Sequence, residues 1–86
     1  MPQISKFFGI VIWMFYNDHN PPHFHANYGE FEGLFRIDDV SILSGSLPPR
    51  ALGLVTEWAT IHKQELHLNW ELSRKGESLH PINPLQ

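Results

Sequence analysis

The chain has 86 residues, a formal net charge of −3 and no cysteine. Six basic side chains argue against broad neutralisation of a phosphate backbone, and the missing thiols exclude disulfides, cysteine nucleophiles and thiolate metal ligands. One domain over 1–86 accounts for this length, its core drawn from six Phe, three Trp and two Tyr. The N-terminal segment has no cleavage-site pattern, and its apolar run falls far below the ~20 residues of a spanning helix. A cytoplasmic chain without membrane contact is therefore expected.

Residues 8–16 are β-branched and aromatic with no polar alternation, which predicts a strand buried on both faces. It ends at Asn17-Asp18-His19-Asn20-Pro21-Pro22, where two prolines remove two donors and stop any ladder. A second strand over 23–28 alternates, with Phe24, Ala26 and Tyr28 on one face and His23, His25 and Asn27 on the other. Gly29-Glu30 turns the chain into a third strand, 31–38, and Asp38-Asp39 leads to a short fourth, 40–43. These four form an antiparallel meander.

From Pro48 the period becomes helical. One long amphipathic helix over 48–75 is predicted, opened by proline and stopped by Gly76. Ala51, Leu54, Val55, Trp58, Ile61, Leu66 and Leu72 share the side that covers the sheet. At ~40 Å such a helix overhangs so small a sheet. The tail 77–86 reads as irregular. The expected class is α+β, a sheet layer under one helix.

Two polar clusters interrupt this pattern. In the first, His19, His23 and His25 surround the proline turn. Residues two apart on a strand project to one face ~6.5–7 Å apart, near enough for two imidazoles to share a divalent transition metal such as zinc. His19 supplies a third nitrogen, and Asp18 a further ligand or an orienting carboxylate. The same histidines serve equally as acid and base without metal, or simply as the wet face of a strand. In the second cluster His62, Glu65 and Asn69 lie at i, i+3 and i+7 beside Trp58. They form either an internal polar network or the second half of the His site, if the face carrying His23 and His25 turns toward the helix.

Several stretches are recognisable together. Met1-Pro2, Ile4-Ser5, Phe7-Phe8-Gly9-Ile10, the string Asn17-Asp18-His19-Asn20-Pro21-Pro22-His23-Phe24-His25, then Leu47-Pro48, Arg50-Ala51-Leu52, Glu57-Trp58-Ala59, His62, Glu65-Leu66 and Asn69-Trp70-Glu71 resemble the bacterial "domain of unknown function 4160" family. The resemblance spans nearly the whole chain. It implies a short prokaryotic protein that forms one half of a two-gene, toxin–antitoxin-like module, with a small protein encoded next to it as partner. The family's characteristic residues fall here on Asp18, His19, Pro21, Pro22, His23, His25, Trp58, His62 and Trp70.

Two functions fit. One is an RNA-directed toxin, a hydrolase or ribonuclease-like enzyme. Asp18, His19, His23, His25, His62 and Glu65 are its candidate catalytic groups, and Arg36 or Arg50 its phosphate contacts; the net charge does not favour RNA as a partner. The other is a non-catalytic module that docks a partner protein or a second copy of itself, its His turn structural or metal-binding.

Overall fold

A computed structural model describes residues 2–86. Met1, which opens the quoted similarity, lies outside the described residues. In chain order the elements are β1 Gln3–Phe7, β2 Ile10–Trp13, β3 His23–Tyr28, β4 Phe31–Arg36, β5 Ile42–Gly45, α1 Pro49–Ile61 and α2 Lys63–Arg74. The strands pair antiparallel in the order β1-β2-β3-β4-β5, so the α+β class and the meander are present, with one strand and one helix more than expected.

The strand expected over 8–16 is the second arm of a hairpin. Phe7 pairs with Ile10, and the two residues between them, Phe8 and Gly9, have φ of 49° and 80°. A two-residue loop with both residues left-handed matches the right-handed twist of its strands. Phe8 conceals the turn, because bulky residues rarely adopt positive φ. The strand expected over 31–38 stops at Arg36, and the one expected over 40–43 begins later, at Ile42. Between them Val40 takes φ 56°, and the Asp39 carboxylate accepts from both the amide and the hydroxyl of Ser41. That turn lengthens the connection.

The helix expected over 48–75 is two helices, broken at His62 (φ −107°, ψ 26°). Just before the break, the Thr56 and Thr60 hydroxyls donate to carbonyls four residues back, at 2.8 Å each. Such bonds compete with the helical ladder and bend it. The break re-aims the apolar stripe. Ile61 is exposed, whereas α2 buries Leu66, Asn69, Trp70 and Ser73. Gly76 ends α2 as expected: with φ 72° it lets its own amide reach Ser73 O and the Glu77 amide reach Leu72 O.

The helices cover one face of the sheet. Ile10 and Ile12, Phe24 and Ala26, and Phe35 and Ile37 pack with Val55, Trp58, Ala59 and Leu66, all fully buried. Phe24 stacks on Phe35 across the strands, with ring centroids 5.4 Å apart, and meets Trp58 edge-on at 5.9 Å. Trp58 also lies 5.4 Å from Phe7 and donates its indole N–H to Asn83 O at 2.8 Å. The tail expected over 77–86 is irregular but tied down. Asn69 bonds both the amide and the carbonyl of His80, and the Ile82 amide reaches Ile4 O across the outer edge of β1. No helix among the described residues is long and apolar enough to cross a membrane.

Two glycines separate local strain from collision. Gly29 and Gly45 both have positive φ, but a Cβ at Gly29 meets nothing within 4 Å, whereas one at Gly45 falls 2.1 Å from Glu32 O. Gly29→Ala is expected to cost about 1–2 kcal/mol, the left-handed penalty alone. Gly45→Ala is expected to cost clearly more and to loosen β5 from β4. Urea midpoints of the two variants check the difference, and equal midpoints contradict it.

Candidate functional site

The proline turn leads directly into β3 and meets the end of α2, where the Arg74 guanidinium donates to Asn20 Oδ1 at 3.3 Å. The remaining sheet face is the one opposite the helices. Because Phe24 and Ala26 face the helices, strand alternation sends His23 and His25 to that opposite face. The two rings lie 5.3 Å apart. Phe15 covers His25 edge-on at 4.3 Å, and Trp70 of α2 lies 5.3 Å from His23 at the start of β3. Both imidazoles are buried, at 6% and 9% exposure, so the wet-face reading of the pair does not describe their surroundings.

Asp18 closes the cluster. Its Oδ2 lies 3.0 Å from His23 Nε2 and 3.5 Å from His25 Nε2, while Oδ1 accepts the His19 amide at 2.9 Å. Partial burial disfavours the ionised carboxyl. The His19 amide, the charge of His23 and the hydrogen bonds from His25 and His23 outweigh it, and Asp18 ionises below its ordinary range.

The donors and acceptors do not balance with neutral rings. A carbonyl oxygen only accepts, so His23 Nδ1 must donate to Pro21 O at 2.8 Å. A neutral His23 then turns its Nε2 lone pair toward the Asp18 carboxylate. His25 stands between two carboxylates, with Nε2 toward Asp18 and Nδ1 3.4 Å from Glu32 Oε2, and a neutral ring has one N–H for both. The cluster therefore calls for positive charge, as protons on the rings or as a cation among them.

The geometry suits a cation. One ligand atom from each of Asp18, His23 and His25 lies within 4.8 Å of the others. Neighbouring ligands of a tetrahedral zinc ion stand ~3.3 Å apart at zinc–ligand distances near 2.0–2.1 Å. Two imidazoles and one carboxylate leave coordination positions open, as catalytic zinc and non-haem iron sites do.

The remaining sequence-predicted residues fall elsewhere. His19 is exposed, and its backbone amide, not its ring, serves the site. His62 packs 5.6 Å from Trp58 on the helix side and pairs with Glu65 one turn on, so this pair is not brought to Asp18. Asn69 fastens the tail. Arg36 is the cross-strand neighbour of His23 and shares its face; Arg50 is exposed in the first turn of α1. Two participants escaped sequence reasoning, Phe15 and Glu32; Arg74 of α2 donates from its guanidinium to Asn20 Oδ1. A two-residue loop at Gly29-Glu30 already sets Glu32 opposite Asn27, the one of these placements that register alone predicts.

Asp18→Asn tests the electrostatics. A carboxyl held below its ordinary range adds stability that is complete above the unfolded value near 3.9 and is lost as pH falls through the folded value. In chelator, the stability difference between wild type and D18N is expected to be constant from pH 5 to about 4, then to shrink below it. A difference that grows on acidification contradicts this assignment.

No curated protein and no solved structure matches the chain. The family model "Domain of unknown function (DUF4160)" matches residues 9–71, from the first hairpin through most of α2, and the chain belongs to that family.

Proposed function

We propose that the chain binds a divalent transition metal, zinc or one of similar preference, at Asp18, His23 and His25. There it promotes hydrolysis of a phosphodiester, as the RNA-directed, toxin-like half of a bacterial two-gene module. The supporting observation is the unbalanced donor set: Asp18, His23 and His25, buried or half-buried, bring one ligand atom each within 4.8 Å of the others, and a cation among them supplies the positive charge the cluster calls for. A metal held by three protein ligands lowers the pKa of a bound water to about 7 and polarises a phosphoryl oxygen. Phe15 and Trp70 flank the rings, which keeps bulk water from the site and strengthens every charge interaction in it.

Cations suited to phosphate lie near. Arg36 stands beside His23 on the same face, and Arg74 is drawn to Asn20 in the turn. With a net charge of −3, association with RNA depends on this local pair rather than on the whole surface. The neighbouring partner is what the family resemblance implies.

Elemental analysis of untagged protein tests the metal. About one equivalent is expected after incubation with zinc, retained by His19→Ala and lost in His23→Ala, His25→Ala and D18A. Less than about a tenth of an equivalent in wild type removes the claim. Induced expression tests the activity: growth arrest with loss of cellular RNA is expected for wild type and not for His23→Ala/His25→Ala. Equal growth and intact RNA for both overturn the toxin reading.

One observation favours the second function, a partner-docking module. All four residues of β5 are exposed, including Ile42 and Leu43, and exposed Phe31 lies on the adjoining strand. An unpaired edge with apolar side chains adds a strand from another chain readily. Co-expression with the protein encoded next to it is expected to yield a complex that Leu43→Lys weakens. Failure to recover any complex counts against docking.

A further inference from the structure

The sheet face that bears the histidines has a second feature farther along the same strands. Val11, Trp13, Phe15, Asn27 and Glu32 line an open groove of about 390 Å³, within the size range of small-ligand sites. Register places Val11, Asn27 and Glu32 in one cross-strand row, Trp13, His25 and Leu34 in the next, and His23 with Arg36 in a third. Successive rows are about 6.6 Å apart, so the backbones of Glu32 and Arg36 stand roughly 13 Å apart, and the Glu32 carboxylate reaches to 3.4 Å from His25 Nδ1. The face is thus polar along its length, negative at Glu32 and positive at Arg36.

We propose that this groove seats the amino-bearing base of a nucleotide whose phosphate lies over the His23–Arg36 row. Trp13 and Phe15 are half-buried and offer aromatic surface to a planar ring. Asn27 provides one donor group and one acceptor, and Glu32 accepts only. An aliphatic occupant removes both from water and returns no hydrogen bond. An anionic ring is repelled by Glu32, and a basic peptide side chain that satisfies Glu32 brings no anion for Arg36. An exocyclic amine facing Glu32, with a phosphate at the other end, complements both poles. The inference rests on the phosphodiester reading for the phosphate end; the base end stands on the groove alone.

Fluorescence titration in chelator tests it, because metal is then absent. Trp58 and Trp70 are buried and Trp13 is not, so quenching by added nucleotide reads Trp13. GMP, AMP and CMP are expected to quench saturably, whereas UMP, IMP and inorganic phosphate bind roughly tenfold more weakly. Glu32→Gln, at a position 51% exposed, is expected to erase that preference. Saturation tighter for a short oligoribonucleotide than for GMP assigns the base to RNA, and equal affinity assigns it to a free nucleotide; both support the site. The site is overturned if no mononucleotide saturates below about 1 mM, or if wild type and E32Q rank the bases alike. Base binding without stoichiometric zinc sinks the metal reading and keeps the groove; zinc without base binding does the reverse.

Discussion

The contact between Trp58 and Phe24 decides what each face of the sheet becomes. A large indole on α1 needs a partner in the sheet, and Phe24, stacked on Phe35, supplies it. Once Phe24 points at the helices, its neighbours on either side have no freedom left. His23 and His25 must face away, because successive strand residues alternate and a one-residue slip inverts every side chain. Trp58 is held by Phe7 and by the tail carbonyl of Asn83, so the register of β3 is tied to both ends of the chain. The imidazole pair is a consequence of how the core closes.

What that pair then does is set by the turn before it. Pro21 contributes a carbonyl that takes the Nδ1 proton of His23, and Asp18 contributes a carboxylate five residues upstream that faces both rings. Neither group belongs to a regular element. The strand before the turn ends at Trp13, well ahead of the prolines, and the intervening chain brings the Asp18 carboxylate to both rings. A turn thus converts two adjacent imidazoles into a three-sided site.

Much of this was legible in the residues. The alternation of Phe24, Ala26 and Tyr28 against His23 and His25 is a period-two signal, and the strand over 23–28 has the bounds it foretells. The helical region and its glycine stop were equally plain. The first hairpin was not, because its turn uses an aromatic residue in a conformation that sequence patterns assign to glycine and asparagine. The helix break was hidden too, since threonine hydroxyls bonding back along the helix leave the apolar period nearly intact until Ile61. For the site, the location was readable but its membership was not. Asp18 and the two strand histidines converge; His62 and Glu65 belong to the helix side because Trp58 faces inward, a fact that no spacing encodes.

The route of the tail has a consequence for assembly. By laying Ile82 against Ile4 it straps one lateral margin of the sheet at a single point, and β5 is the other margin. A sheet with two open margins can add neighbours without limit and grow into a fibre. The tail occupies a backbone acceptor on the β1 side, whereas all four residues of β5 are exposed. The two margins are therefore unequal, and β5 is the one that a further strand can extend without first displacing the tail.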